Sequence, residues 1–416
     1  MTRQNGWRSG RAFAPGTVVR LLQEEWTVFE NIRRTVPRFT AQTGIEVEVA
    51  LHGIPALWQL TERSFADQEP PFDLVGADES QLLQHARLGQ VEPLDGYITA
   101  DGYDLGDFAP AALANASYGG RLYGLPYADV SNVLIYRRDL FERYGIPVPT
   151  TMDMLTEAAL AAQHAVRADG TPEFYGITLR GQPNCGQIFW HMGSTWAPTW
   201  GARWYDDAGH PTLDTPEHLA ACEHYVNLLR RAGPPEAPDM GFAECMSCYR
   251  AGKAAMVIEP ANEASITYDL GGPVADGSMT TLVPAGQRGT RHAGLYCPPY
   301  AIPARSRVKE AAWELARFLC APEQLLDDAV GSGFVEVARE SVLADPRFAA
   351  RFRPDLVATT RDTRAIARGE RPMPRQGLLV GDTIAEEYTR ALRGEQTPRA
   401  ALQRAQARVS ALGLPD

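Results

Sequence analysis

The feature that most narrows what this chain can fold into is residues 120–151, GRLYGLPYADVSNVLIYRRDLFERYGIPVPTT. Val133, Leu134, Ile135 and Tyr136 form a short apolar run of β-branched and aromatic residues, with Pro126 upstream and Arg137, Arg138 and Asp139 downstream. Such a run is a sheet-core strand. Just before it, Tyr127, Asp129, Ser131 and Asn132 put a ring and several hydrogen-bonding groups near the strand start, a mixture suited to a polyhydroxylated ligand. After it, a helical turn ends at Gly145, a Pro-rich link follows, and Thr150 or Thr151 caps the next helix.

The rest of the chain alternates strands and helices around this stretch. Val18, Val19, Leu21 and Leu22 mark a first strand over 17–22, and Phe29, Ile32, Val36 and Phe39 line one face of a helix ending at Gly44. Residues 45–51 alternate as a second strand, giving a β-α-β opening. Gln23, Glu24, Glu25 and Trp26 stand at the first strand's carboxyl end, where ligands lie in open α/β sheets. Trp26 is read either as a stacking residue or as helix packing. Residues 72–75 are a third strand, and Asp78 just beyond it either caps the following helix or accepts hydrogen bonds from ligand hydroxyls.

A helix over 152–166 and a strand over 175–179 continue the alternation. Residues 182–205 then hold Trp190, Trp196, Trp200 and Trp204, half of the chain's eight tryptophans. A ring face packs against C–H patches of a sugar while its hydroxyls stay free for polar partners, although each tryptophan also fits a core role. A hairpin is expected over 204–210, a helix capped by Asp214 or Thr215 runs to Arg231, and a helix from Phe242 leads into the strand Gly252-Lys-Ala-Ala-Met-Val-Ile258. Glu259, Asn262 and Glu263 follow, as ligand contacts or as helix caps. Residues 294–302 form a turn and strand carrying Tyr296, and 313–319 a packed helix. An amphipathic helix closes the chain.

The formal net charge of −11 and the lack of a basic stripe with interleaved aromatics disfavour a nucleic-acid partner. No apolar run reaches the roughly 18 residues of a membrane helix. The six cysteines are Cys185, Cys222, Cys245, Cys248, Cys297 and Cys320. Cys222 and Cys320 sit in amphipathic helical patterns as buried free thiols. Cys245-Met-Ser-Cys248 could be a redox pair, half of a zinc site or a local disulfide; no second ligand pair follows for zinc, and the local disulfide is the simplest of the three readings. No metal or cofactor is expected.

Several motifs together resemble the ABC-importer solute-binding proteins of the large sugar-binding family that includes maltose-binding proteins. They are Tyr123-Gly124-Leu125-Pro126, Ile135-Tyr136-Arg137, Asp139-Leu140-Phe141, Gly145-Ile146, Pro149-Thr150, the FDLV of 72–75 with Asp78 and the later VEPLD, the LDTPE of 213–217, and the GKAAM of 252–256. The Trp usual after the Pro-x-Thr step is Met152 here. The resemblance runs from Thr17 to Leu412 and implies a type II periplasmic-binding-protein fold: two α/β lobes, each a mixed sheet flanked by helices, with a ligand cleft between them. It implies a first lobe of 17–125 and 283–321 after a disordered 1–16, and a second of 126–282 and 322–416.

The function so implied is to bind a sugar, oligosaccharide or polyol, close by hinge bending and deliver it, as a monomer, to permease subunits. The expected ligand residues are Glu25, Trp26, Asp78, Tyr127, Asp129, Asn132, Trp190, Trp200, Glu259, Asn262 and Tyr296, with Trp190 and then Trp200 favoured by the family analogy. An extracytoplasmic location also follows from the resemblance, although the opening MTRQNGWRSGRAFAPG lacks the apolar core and cleavage site of a secretory signal. Two rivals are kept: a cysteine-dependent thiamine-degrading enzyme on the same fold, using Cys185 or Cys297, and a cytoplasmic sugar-binding sensor.

Overall fold

The computed structural model describes residues 11–26, 29–184, 186–368 and 377–413. The chain divides into two compact units, one of residues up to Val130 with Tyr296–Arg353, the other of Ser131–Leu295 with the chain from Pro354 onward. All described helices are too short or too polar to cross a membrane.

The first unit is built on a five-stranded sheet in the order Glu46–His52, Val18–Glu24, Leu74–Gly76, Pro299–Ala301, Gly124–Pro126. Val18–Glu24 runs parallel to both of its neighbours, whereas Pro299–Ala301 is antiparallel to both of its own. The expected β-α-β opening is present. Its helix, Ile32–Thr43, buries Ile32, Thr35, Val36 and Phe39, and Gly44 at φ 73° supplies the left-handed residue that stops it.

The second unit's sheet has the order Ala367–Arg368, Ala293–Tyr296, Val130–Arg137, Met256–Pro260, with Ser278–Thr281 also pairing with Val130–Arg137. All eight residues of Val130–Arg137 are buried: the apolar run 133–136, as a central strand requires, and with it the polar Ser131, Asn132 and Arg137. Thr151 caps the helix Met152–Ala168 by accepting from the Met154 amide, and Thr215 caps Pro216–Ala232 through His218.

The chain crosses between units later than the sequence placed it. Residues 283–295 stay with the second unit, because Ser278–Thr281 and Ala293–Tyr296 both belong to its sheet. Residues 322–353 stay with the first, where Asp328 of the helix Pro322–Ser332 accepts hydrogen bonds from Asn31 and Thr35. The single strand expected over 294–302 is two strands, in different sheets, joined through Cys297 and Pro298.

The strand expected over 175–179 is reduced to two isolated parallel bridges, Tyr175 to Ala254 and Thr178 to Val257. Between them the Gly176 and Ile177 amides donate to the Ala232 carbonyl instead of to the neighbouring strand, and Gly176 lies so close to the 152–168 helix that a Cβ would stand 2.0 Å from the Ala159 carbonyl oxygen. The hairpin over 204–210 likewise reduces to one bridge, Tyr205 to Pro211. Cys245 and Cys248 are free thiols rather than the disulfide the spacing suggested, while Cys222 and Cys320 are buried and free as expected.

Candidate functional site

In the second unit, the polar residues at the start of Val130–Arg137 meet the tryptophan-rich segment. Asn132 pairs in register with Pro260, and Val133 with Glu259, so the end of Met256–Pro260 lies beside Asn132. Asn132 is fully buried, and such an amide must find partners. Its Oδ1 accepts from Trp190 Nε1 at 2.8 Å and its Nδ2 donates to Thr195 Oγ1 at 3.0 Å. Trp190 is held against the backbone of Gly294, where a Cβ would come within 3.2 Å of its ring. It is carried on the short helix Ile188–His191, which runs on into a π turn over Met192–Trp196.

Glu259 is also fully buried and belongs to the strand itself. Arg180 grips it with both ends of the guanidinium, Nε reaching Oε1 at 2.8 Å and Nη2 reaching Oε2. The same guanidinium donates to the Gly186 carbonyl at 2.7 Å and lies over the Phe242 ring. Burial pushes the Glu259 carboxyl up to about 7, and Arg180 pulls the other way. His191 Nε2 stands 3.7 Å from Glu259 Oε1, and burial followed by the Arg180 charge holds this histidine well below its ordinary range, hence neutral. The Tyr225 hydroxyl donates to the Arg180 carbonyl at 2.6 Å and so ties the cluster to the 216–232 helix.

Asn262 is buried in the first turn of the helix Ala261–Leu270, immediately after this strand, and Glu263 beside it accepts from Arg250 at 2.6 Å. Trp200 is seated elsewhere. Its ring packs on His224 of the 216–232 helix, with centroids 4.8 Å apart.

The first unit's sheet end is assembled from rings. Tyr127 stacks on Tyr300 at 4.3 Å, and Phe29 meets Tyr127, Trp26 and Phe334 edge-on at 5.3 to 5.4 Å. The Tyr127 hydroxyl accepts from Gln23 Nε2 at 3.0 Å, and burial holds it well above its ordinary range. Gly76 leaves room for Gln23 in this position, since a Cβ there would stand 2.1 Å from Gln23 Oε1. Asp78 takes the capping option: its Oδ1 accepts from the Ser80 amide at 2.9 Å and from the Ser80 hydroxyl. Asp129 is buried, its amide donating to the Glu336 carbonyl. Glu25 is exposed, and Trp26 and Tyr296 are half-buried. Burial and then the Glu24 and Asp78 charges raise the Tyr296 hydroxyl well above its ordinary range.

The structure therefore gathers Asn132, Trp190, Glu259 and Asn262 at one sheet end, and Trp26, Asp78, Tyr127, Asp129 and Tyr296 in the other unit. Gln23, Thr195, Arg180 and His191 are additions. A signal existed for Arg180, a lone cation directly after the apolar run YGITL, and for Gln23, a polar side chain ending VVRLL. Cys185 lies outside the described residues, and Cys297 is fully buried.

A profile of bacterial extracellular solute-binding proteins matches residues 35–352. A mannitol-binding protein of Pseudomonas aeruginosa is 32% identical over 257 residues, which is 62% of this chain and 58% of that protein, so the match spans little more than half of this relative's length. The crystal structure of an ABC-transporter solute-binding protein from Agrobacterium radiobacter in complex with ribitol superposes with a TM-score of 0.86 at 25% identity, over 96% of this chain and 99% of the other. A solute-binding protein from Agrobacterium vitis with bound D-mannitol gives a TM-score of 0.85 at 25% identity, over 96% and 100%. The maltose-bound protein of T. maritima, at 22% identity and a TM-score of 0.84, shares the two-lobed α/β fold.

Proposed function

The chain belongs to the bacterial extracellular solute-binding protein family, and from that premise we propose that it captures a sugar alcohol outside the cytoplasm and hands it to the permease of an ABC importer. The observation that carries the choice of ligand is the match, over almost the whole chain, to solute-binding proteins holding ribitol and D-mannitol. The residues support it. A linear polyol offers a row of hydroxyls that both donate and accept, and it asks for amide, carboxylate and ring groups held rigid before it arrives. Asn132, Trp190 and Glu259 in one lobe and Tyr127 in the other are such groups, and each is fixed by neighbours within its own lobe.

Binding without turnover is part of this reading. Cys297, the described candidate nucleophile, is enclosed, and a covalent step needs the thiol to meet its substrate. Protein made without any alditol should gain several degrees of thermal stability with mannitol, ribitol or a close isomer at a hundred to a thousand times Kd, since mass action then adds about 3 to 4 kcal/mol. Ligand recovered afterwards should be unaltered. Trp190→Ala and Tyr127→Ala should each weaken binding by more than about tenfold, or 1.4 kcal/mol, with the fold retained. Stabilisation by maltose or maltotriose with none by any alditol would replace the ligand class, and full affinity in both variants would remove the site.

A further inference from the structure

The CxxC motif takes no part in the ligand chemistry, yet it occupies a distinctive place. Cys245 and Cys248 lie three residues apart on the helix Phe242–Arg250, one turn above the other. Helix geometry sets their Cα atoms roughly 5 Å apart, inside the range of about 4.4–6.8 Å that a disulfide spans, and their Cβ atoms about 5–6 Å apart against the roughly 3.5–4.5 Å of the bonded pair, so this helical turn must tighten as the bond forms. The two thiols differ in access. Cys245 is fully buried, whereas Cys248 is half-buried and lines an open pocket of about 600 Å³ with Tyr175, Glu236, Met240, Glu244 and Lys253.

We propose that Cys245 and Cys248 are a reversible dithiol–disulfide pair that is entered at Cys248 and closed by Cys245. The Cys248 thiolate attacks one sulfur of a low-molecular-weight disulfide, forming a mixed disulfide and releasing the first external thiol. Cys245 then attacks the Cys248 sulfur and displaces the second external thiol, which takes up the Cys245 proton as it leaves. Two protein thiols are thereby oxidised by two electrons, and one external disulfide is reduced to two thiols. The direction follows from access, because an external disulfide reaches Cys248 through the pocket and meets Cys245 only behind it. A thiolate is the attacking species, and burial pushes the Cys248 thiol up while Lys253 pulls against it. The reaction is accordingly slow at neutral pH and accelerates by up to about tenfold per pH unit until that thiol titrates.

The test is to equilibrate the full chain with glutathione disulfide and glutathione at two pH values, block remaining thiols with an alkylating reagent and map the peptides. The expected result is a 245–248 peptide about 2 Da lighter than its dithiol form, restored by reductant and formed faster at the higher pH. Cys245→Ser should accumulate glutathione on Cys248, whereas Cys248→Ser should leave Cys245 unmodified. Full alkylation of both cysteines after prolonged exposure to excess glutathione disulfide would overturn the proposal, as would a glutathione adduct on Cys245 in folded Cys248→Ser. If a serine variant does not fold, the wild-type peptide map decides by itself.

Discussion

The polar ends of the two sheets are built by different means. In the second lobe, Asn132, Arg180 and Glu259 are tied by amide and ionic hydrogen bonds made entirely inside buried structure. In the first, Tyr127 is set by ring contacts with Phe29 and Tyr300, and one hydrogen bond from Gln23 fixes its hydroxyl. A buried charge held by its partner fails abruptly when the partner is removed. A stacked ring loses little when only its hydroxyl is changed. The two lobes should therefore differ sharply in tolerance.

The largest effect expected from this difference is at the ion pair. Glu259→Ala leaves the Arg180 guanidinium buried without its carboxylate and should cost about 3 to 5 kcal/mol in denaturant unfolding. Arg180→Met combined with Glu259→Leu should recover most of that. A loss under about 1 kcal/mol for Glu259→Ala would mean that water reaches the pair and that the contrast between lobes is unfounded.

Two single groups, one in each lobe, should next respond to acid in opposite directions. His218, packed edge-on against Trp204, is pushed down to about 4 by burial. The unfolded chain takes up this proton first, near its ordinary 6.5, so the stability from neutral His218 is present above 6.5 and lost as pH falls through 4. The range corresponds to at most about 3 kcal/mol. In the first lobe, burial pushes Asp328 up to about 6, against hydrogen bonds from Thr35, Asn31 and Gln324. Its neutral form adds stability below its ordinary 3.8, which is lost as pH rises through 6. Thermal unfolding between pH 4 and 7 should show His218→Gln flattening the acid-side loss and Asp328→Asn flattening the opposite slope. Parallel profiles for both variants and the parent would refute these assignments.

Smaller effects sharpen the same comparison. Trp190→Phe removes the indole donor to buried Asn132 and should cost about 1 to 3 kcal/mol, while Tyr127→Phe gives up one hydrogen bond to Gln23 and should cost about 1 kcal/mol. Asp78→Ala should cost about 1 kcal/mol as a lost helix cap. Calorimetry with the alditol found by the screen then decides whether Asp78 serves only as a cap: unchanged affinity says that it does, and a drop of tenfold or more gives it a ligand contact as well.

Much of this was legible in the chain because it is local. Gly44 and Gly145 stop helices at positive φ, Thr151 and Thr215 start them, and the unbroken apolar run at 133–136 could only be a central strand. Those features depend on neighbours within a few residues, where backbone sterics and capping geometry act. The candidate residues were legible as types: Asn132 and Tyr127 near a strand start, Trp190 in a tryptophan-rich segment, Glu259 after an apolar run. Their partners were not. Trp190 lies 58 residues from Asn132, Arg180 lies 79 from Glu259 and Gln23 lies 104 from Tyr127.

The sequence by itself determined the kind of fold, two α/β lobes, and the supply of rings, amides and carboxylates from which a polyol site can be made. Tertiary structure alone decided which of those groups are committed. It set Asp78 to capping, seated Trp200 on His224, gave Glu259 to Arg180, and kept the two chain segments 283–295 and 322–353 with the lobes whose sheet and helices they complete. The reason is physical: hydrogen-bond capacity belongs to a side chain wherever it stands, but which partner fills that capacity, and whether water is excluded while it does, is set by residues brought together from far along the chain.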